Sequence, residues 1–229
     1  MVHPLLRSLV HSPFTWLLAA LVLLLVISPL VEGTRFGSAM FTVAMTTVCI
    51  AGTVANRHRK WVFRLAVAAV ALVIPISWAA LWSRSWTLTL GQNLIVIFFC
   101  GMTATVVLLS VLQVRQRMSQ AIVGAVCVYL LIGLTWATLY QTIELVQPQA
   151  FAFAARRYEP GTAKQRTSFA QLTYFSFVTM STLGYGDIVP RTPLAETACW
   201  MEAIVGQLYV AILIARLVSE MPRMRSPQP

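Results

Sequence analysis

The chain of 229 residues is 58% hydrophobic and only 10% charged, with a mean hydropathy of +0.75, which excludes an ordinary soluble domain and points to apolar runs that cross a bilayer. Its formal charge of +10 does not mark a nucleic-acid binder, because the basic residues fall in short loops between apolar runs and not along one polar face. Cys49, Cys100, Cys127 and Cys199 sit inside apolar runs without metal-ligand spacing, and His3, His11 and His58 form no cluster with carboxylates, so no metal centre or enzyme site is expected.

In chain order, the first predicted span covers about residues 14–31, with Arg7 ahead of it. It lacks a small-x-small cleavage site and is expected to stay as an anchor. The second covers about 38–54 and ends in the basic cluster Asn56-Arg57-His58-Arg59-Lys60. A third runs over about 61–82 and carries Pro75, a kink signal. The fourth, about 90–112, closes on Arg115 and Arg117, and a fifth follows over about 121–146.

A polar stretch with Arg156, Arg157, Glu159, Pro160 and Gly161 leads to Ser168, three residues before Gln171. That is the reciprocal capping arrangement, and it predicts a helix over 169–180. With about 12 residues this helix is too short to span, so it is expected to dip into the membrane and return. The last span is predicted over about 197–218, and 220–229 is a short basic tail. The expected organisation is therefore a four-span unit, 1–118, followed by a pore unit, 119–219.

Lys and Arg are distributed asymmetrically. Arg7, Arg57, Arg59, Lys60, Arg64, Arg115, Arg117, Arg216, Arg223 and Arg225 share one side, against Arg35 and Arg84 in the two short loops of the other. Both termini are therefore expected to be cytoplasmic, in a plasma (inner) membrane.

Between the short helix and the last span stands Thr182-Leu183-Gly184-Tyr185-Gly186-Asp187. Backbone carbonyls can replace a cation's water shell only if successive peptide units face one axis, and glycine at alternate places reaches the backbone angles this needs. The carbonyls of Thr182, Leu183, Gly184 and Tyr185 are thus the candidate ligands, with the Thr182 hydroxyl adding a lower ring.

This ordered motif, after a short apolar helix and before a long one, resembles the signature of the tetrameric potassium-channel family. The resemblance implies an all-α membrane protein with six transmembrane helices and a re-entrant pore helix and filter between helices five and six. It implies a homotetramer around a fourfold pore that conducts potassium passively, with potassium ions in the filter and no organic cofactor. By the same resemblance, Tyr174 and Phe175 match paired aromatics that brace the filter and pack against Tyr185, and Tyr174 can reach Asp187. Gly206 matches a hinge glycine, at even odds with simple close packing, and Val210 and Ile214 match positions lining the cavity and its inner mouth. Leu183 stands where the family more often has Val or Ile, and Val178 where some bacterial relatives have a carboxylate. Glu202, the acidic residue inside a span, is expected to have a buried partner and to support the filter.

The fourth predicted span holds no Lys or Arg, so a conventional voltage sensor is not expected. The first four spans read as a scaffold, or as a site for lipid or a separate regulatory partner. The short connection 113–120 favours their packing on the pore of their own subunit. A nonselective cation channel and a potassium-transporter subunit are the alternative readings.

Overall fold

Long apolar runs fold as helices because, in hydrocarbon, each backbone N–H must find its carbonyl within the segment. The computed structural model describes residues 13–30, 43, 45–48, 50–51, 53, 60–83, 85–112, 118–153 and 168–220. Its helices are α1 (Pro13–Leu30), α2 (Lys60–Ser83), α3 (Trp86–Val111), α4 (Met118–Val146), α5 (Phe169–Met180) and α6 (Pro193–Glu220).

Six spans are predicted from the sequence. Among the described residues, three helical stretches are long and apolar enough to cross a membrane: Trp86–Val111, Gln120–Val146 and Pro193–Arg216. The apolar stretches of α1 and α2 are shorter, Phe14–Pro29 and Phe63–Ile76. Of the second predicted span, residues 43, 45–48, 50–51 and 53 are described and helical, while the rest of it, the connection 154–167 and most of the tail lie outside the described residues. The chain is thus a mostly helical, multi-pass membrane protein.

The helical expectation holds for most of the described residues, with one short strand pair added to it. Residues Phe151–Phe153 (β1) and Ile188–Pro190 (β2) pair antiparallel, with Ala152 opposite Val189. Phe-Ala-Phe has the period of a strand, and the segment leaving Gly186 offers it an unpaired edge.

Helix α4 is the central element, packed against α1, α3, α5 and α6, while α2 packs on α3. Leu17, Leu21 and Leu24 on α1 meet Phe99 and Val107 of α3 and Val128 and Leu131 of α4 in one core. The spacing of the α1 leucines puts them on one helix face. A second core, Tyr140, Phe151, Leu172, Phe175 and Ile188, binds the carboxyl-terminal end of α4 to α5 and to the sheet.

The last helix begins earlier than its hydropathy predicts. Thr192 accepts the Ala195 amide on its side chain at 3.4 Å, and Pro193 takes the first helical position, where a missing N–H costs nothing. Along α6 a single stripe is buried in the chain: Ala195, Ala198, Glu202, Gly206 and Tyr209.

Candidate functional site

The short helix α5 starts on its capping box: Ser168 Oγ accepts the Gln171 amide at 3.2 Å, and Gln171 Oε1 accepts the Ser168 amide at 3.0 Å. Its far end is closed as tightly. The Thr182 amide donates to the Thr179 carbonyl and the Leu183 amide to the Val178 carbonyl, each at 3.0 Å. This is the paired closure of a Schellman motif, which needs a left-handed residue just beyond the helix. Thr182 supplies it, with φ of 60°. A residue with a Cβ in that region costs about 1–2 kcal/mol, so the surrounding hydrogen bonds hold it there.

Positive φ recurs at Gly184 (53°) and Gly186 (75°). Residues 182, 184 and 186 are left-handed and the two between them are not, an alternation that an ordinary strand lacks. Among the described residues, and apart from the two chain neighbours, nothing lies within 4 Å of where a Cβ would stand on either glycine. Residues 181–186 are exposed in the single chain, Leu183 at 58% and Tyr185 at 66%. Tyr185, which the sequence led us to expect packed against Tyr174 and Phe175, is thus largely exposed in the single chain. Phe175 is instead buried among Tyr140 and Phe151, with ring centroids 5.3 and 5.5 Å away. Tyr174 is half-buried and lines a cavity with Tyr129 and Phe177. Asp187 is half-buried at the outer end of the motif.

Behind this segment lies a polar node. Glu202 has no exposed surface; its carboxylate accepts a hydrogen bond from the Tyr140 hydroxyl on α4 and stands 2.5 Å from Ser176 Oγ on α5. Ser176 Oγ is also 2.8 Å from the Gly133 carbonyl of α4. The node thus joins α4, α5 and α6 through hydroxyls and not through a cation. A buried carboxyl is tolerated only when its oxygens are bonded, and here both are. Tyr140 and Ser176 are not legible from the sequence as partners of Glu202; Ser176 shares the short helix with Gln171, Thr173 and Thr179, and nothing local sets it apart.

Gly206 sits where α6 crosses the end of α5. A Cβ there would stand 2.7 Å from the Met180 carbonyl oxygen and would collide with the Met180 side chain. The close-packing reading of this glycine therefore has a specific contact, two residues ahead of Thr182. Val210 and Ile214, further along α6, are exposed in the single chain.

Two ties secure the ends of this unit. At the end nearest the sheet, Glu144 accepts the amides of Gln149 at 2.9 Å and Phe151 at 3.3 Å, and the Arg191 amide donates to the Ala150 carbonyl at 2.8 Å. At the opposite end, the Arg216 guanidinium donates to the carbonyl of Leu112, the C-cap of α3. A cation at a helix carboxyl end also meets the negative end of its dipole. Among the described residues no three His, Cys, Asp or Glu side chains gather as metal ligands.

Residues 128–222 match the family model described as "Ion channel". Over 56 residues, 24% of this chain and 19% of the relative, the chain is 38% identical to the inward rectifier potassium channel Kirbac3.1 of Paramagnetospirillum magnetotacticum. Residues 128–222 are thus similar to ion channels, potassium channels among them. Over 80 residues (35% of this chain, 15% of the relative) the chain is 32% identical to the potassium voltage-gated channel protein shk-1 of Caenorhabditis elegans. Over 50 residues (22% and 11%) it is 42% identical to the two pore potassium channel c of Oryza sativa subsp. japonica. Each match covers less than a fifth of the relative's own length. No solved structure matches the chain significantly.

Proposed function

We propose that the chain is the subunit of a homotetrameric, potassium-selective channel that conducts passively across the plasma membrane. The observation that carries this reading is the segment Thr182 to Gly186, which leaves the capped end of α5 with alternating left-handed residues and stays exposed on one chain. A filter needs such a segment to face an axis shared with other copies, since one chain supplies one quarter of a carbonyl ring. The carbonyls of Thr182, Leu183, Gly184 and Tyr185 would coordinate potassium, and the carboxyl end of α5 would direct its dipole toward the cation below them. Asp187, Tyr174, Phe175 and Glu202 would support the filter, and Gly206, Val210 and Ile214 would line and close the cavity, where apolar side chains can shut a pore by dewetting.

The four-span unit is proposed as a scaffold and not as a voltage sensor. The test is ion flux from purified protein in lipid vesicles, with potassium set against sodium. Potassium flux with little sodium flux is expected. Equal fluxes would favour a nonselective cation channel, and no flux would remove the channel reading.

A further inference from the structure

A cavity of about 620 Å³ opens between the first helix and the short helix, lined among others by Leu25, Ser28 and Pro29 of α1, Tyr129 of α4, Phe177 of α5 and Leu183 of the filter segment. Small-molecule clefts of this size, within the range of about 300–1,000 Å³, work through a few convergent polar groups. Here several polar groups on the wall are already engaged with the backbone. Thr173 Oγ1 donates to the Phe169 carbonyl at 2.8 Å, Ser181 Oγ to the Phe177 carbonyl at 2.6 Å, and Gln171 Oε1 accepts the Ser168 amide. The cavity therefore presents an apolar wall and suits an apolar occupant.

We infer that this cavity is the socket for α6 of a neighbouring copy, so that the first helix is part of the subunit interface. The inference rests on the tetrameric reading above. The wall is continuous with the incomplete site: Leu183 is both a filter residue and a cavity residue, so a copy that completes the carbonyl ring must abut this opening. The occupant is present in the same sequence. Helix α6 buries one stripe in its own chain and leaves Trp200, Met201, Ile204, Val205 and Leu208 exposed. Between Thr197 and Ala215 its one charged residue is Glu202, which is buried in the node. Lipid tails are as apolar as this face, so what favours a helix over lipid in the socket is side-chain packing, together with the continuity of the socket with Leu183.

The first helix then has a defined task. Through its outer end it holds the neighbour's pore-lining helix against the back of the filter.

The test places a photoreactive benzoylphenylalanine at Leu25 or, separately, at Ala170 on the opposite wall, in the full-length protein in phospholipid vesicles. Phe98, exposed on α3, serves as the comparison position, and potassium flux selects the variants that remain assembled. The expected result is a band of doubled mass, with adducts mapping to residues 193–214 of a second chain, at Leu25 or Ala170 and not at Phe98. Adducts to phospholipid, or within one chain alone, would overturn the socket. Native mass spectrometry of the same samples separates the two levels of the argument. Four chains with lipid adducts would sink this inference and leave the tetramer standing, whereas one chain would withdraw the tetramer with it.

Discussion

Ser176 of the short helix and Glu202 of the last helix meet oxygen to oxygen at 2.5 Å, in a place with no exposed surface on Glu202. Removing either partner of a buried hydrogen bond leaves the other without compensation, at about 1–3 kcal/mol. Ser176→Ala and Tyr140→Phe should therefore each lower the thermal stability of the assembled protein. Because they share one carboxylate, their effects should not add. Glu202→Gln keeps the shape of the side chain and should be milder than Glu202→Ala. Melting of purified protein, followed by tryptophan fluorescence, checks this; four variants indistinguishable from the parent would show the node to be inert.

Gly206 and the Met180 carbonyl set the second expectation. Gly206→Ala removes backbone freedom in α6 and also forces a methyl group against Met180, two residues ahead of Thr182. A pure hinge would change opening alone. Close packing predicts in addition a loss of discrimination between potassium and sodium, since overpacking at about 1–3 kcal/mol must shift Met180 or its neighbours. Reversal potentials in mixed potassium and sodium decide between the two.

At Gly184 and Gly186 the obstacle to a side chain is torsional and not steric, because among the described residues nothing but the two chain neighbours stands within 4 Å. Replacing either by alanine should cost about 1–2 kcal/mol in the left-handed conformation and abolish selective flux. Undiminished selective flux in both variants would remove these residues from the ion path.

Arg216 fastens the inner end of α6 to the end of α3 through the Leu112 carbonyl. Arg216→Gln should loosen this end and raise open probability while leaving selectivity unchanged, with Arg216→Lys in between. Single-channel recording at fixed voltage reads both quantities, and an unaltered open probability in the Gln variant would show the tie to be incidental.

Voltage should matter little. Moving one elementary charge through the membrane field is worth about 2.3 kcal/mol per 100 mV, and α3, from Trp86 to Val111, carries no Lys or Arg. Recording from planar bilayers across negative and positive potentials should give a shallow open-probability curve. A steep curve, equivalent to several gating charges, would contradict the scaffold reading of the four-span unit.

What could be read ahead of the structure was local. Ser168 and Gln171 are three residues apart, so the cap of α5 follows from the sequence and is seen in the structure. Thr192-Pro193 is an equally local start signal, yet a hydropathy window places the last span at 197 because Glu196 lowers the average. Thr182 escapes sequence reasoning because glycine is the usual left-handed residue at a helix end, and here a β-branched residue takes that role. The partners of Glu202 lie 26 and 62 residues away along the chain, and no local pattern encodes such a distance. Tyr185 was expected to pack beside Tyr174 and Phe175; in the single chain it is largely exposed, and Phe175 packs on Tyr140 and Phe151, 35 and 24 residues earlier in the chain.

The order in which the node's parts leave the ribosome matters for how the protein reaches its membrane. An acidic residue at the centre of an apolar helix opposes transfer into lipid, by about 2.5–3.5 kcal/mol on insertion scales measured with aspartate. Tyr140 and Ser176 both precede Glu202 in the chain, so the two hydroxyls are already in place when the last helix enters. Helix α6 need not enter the bilayer as a bare segment; it can slide down a prepared surface whose hydroxyls receive the carboxyl as it arrives. A chain lacking either hydroxyl should then be lost during biogenesis, at the insertion of its last helix, before any question of conduction arises.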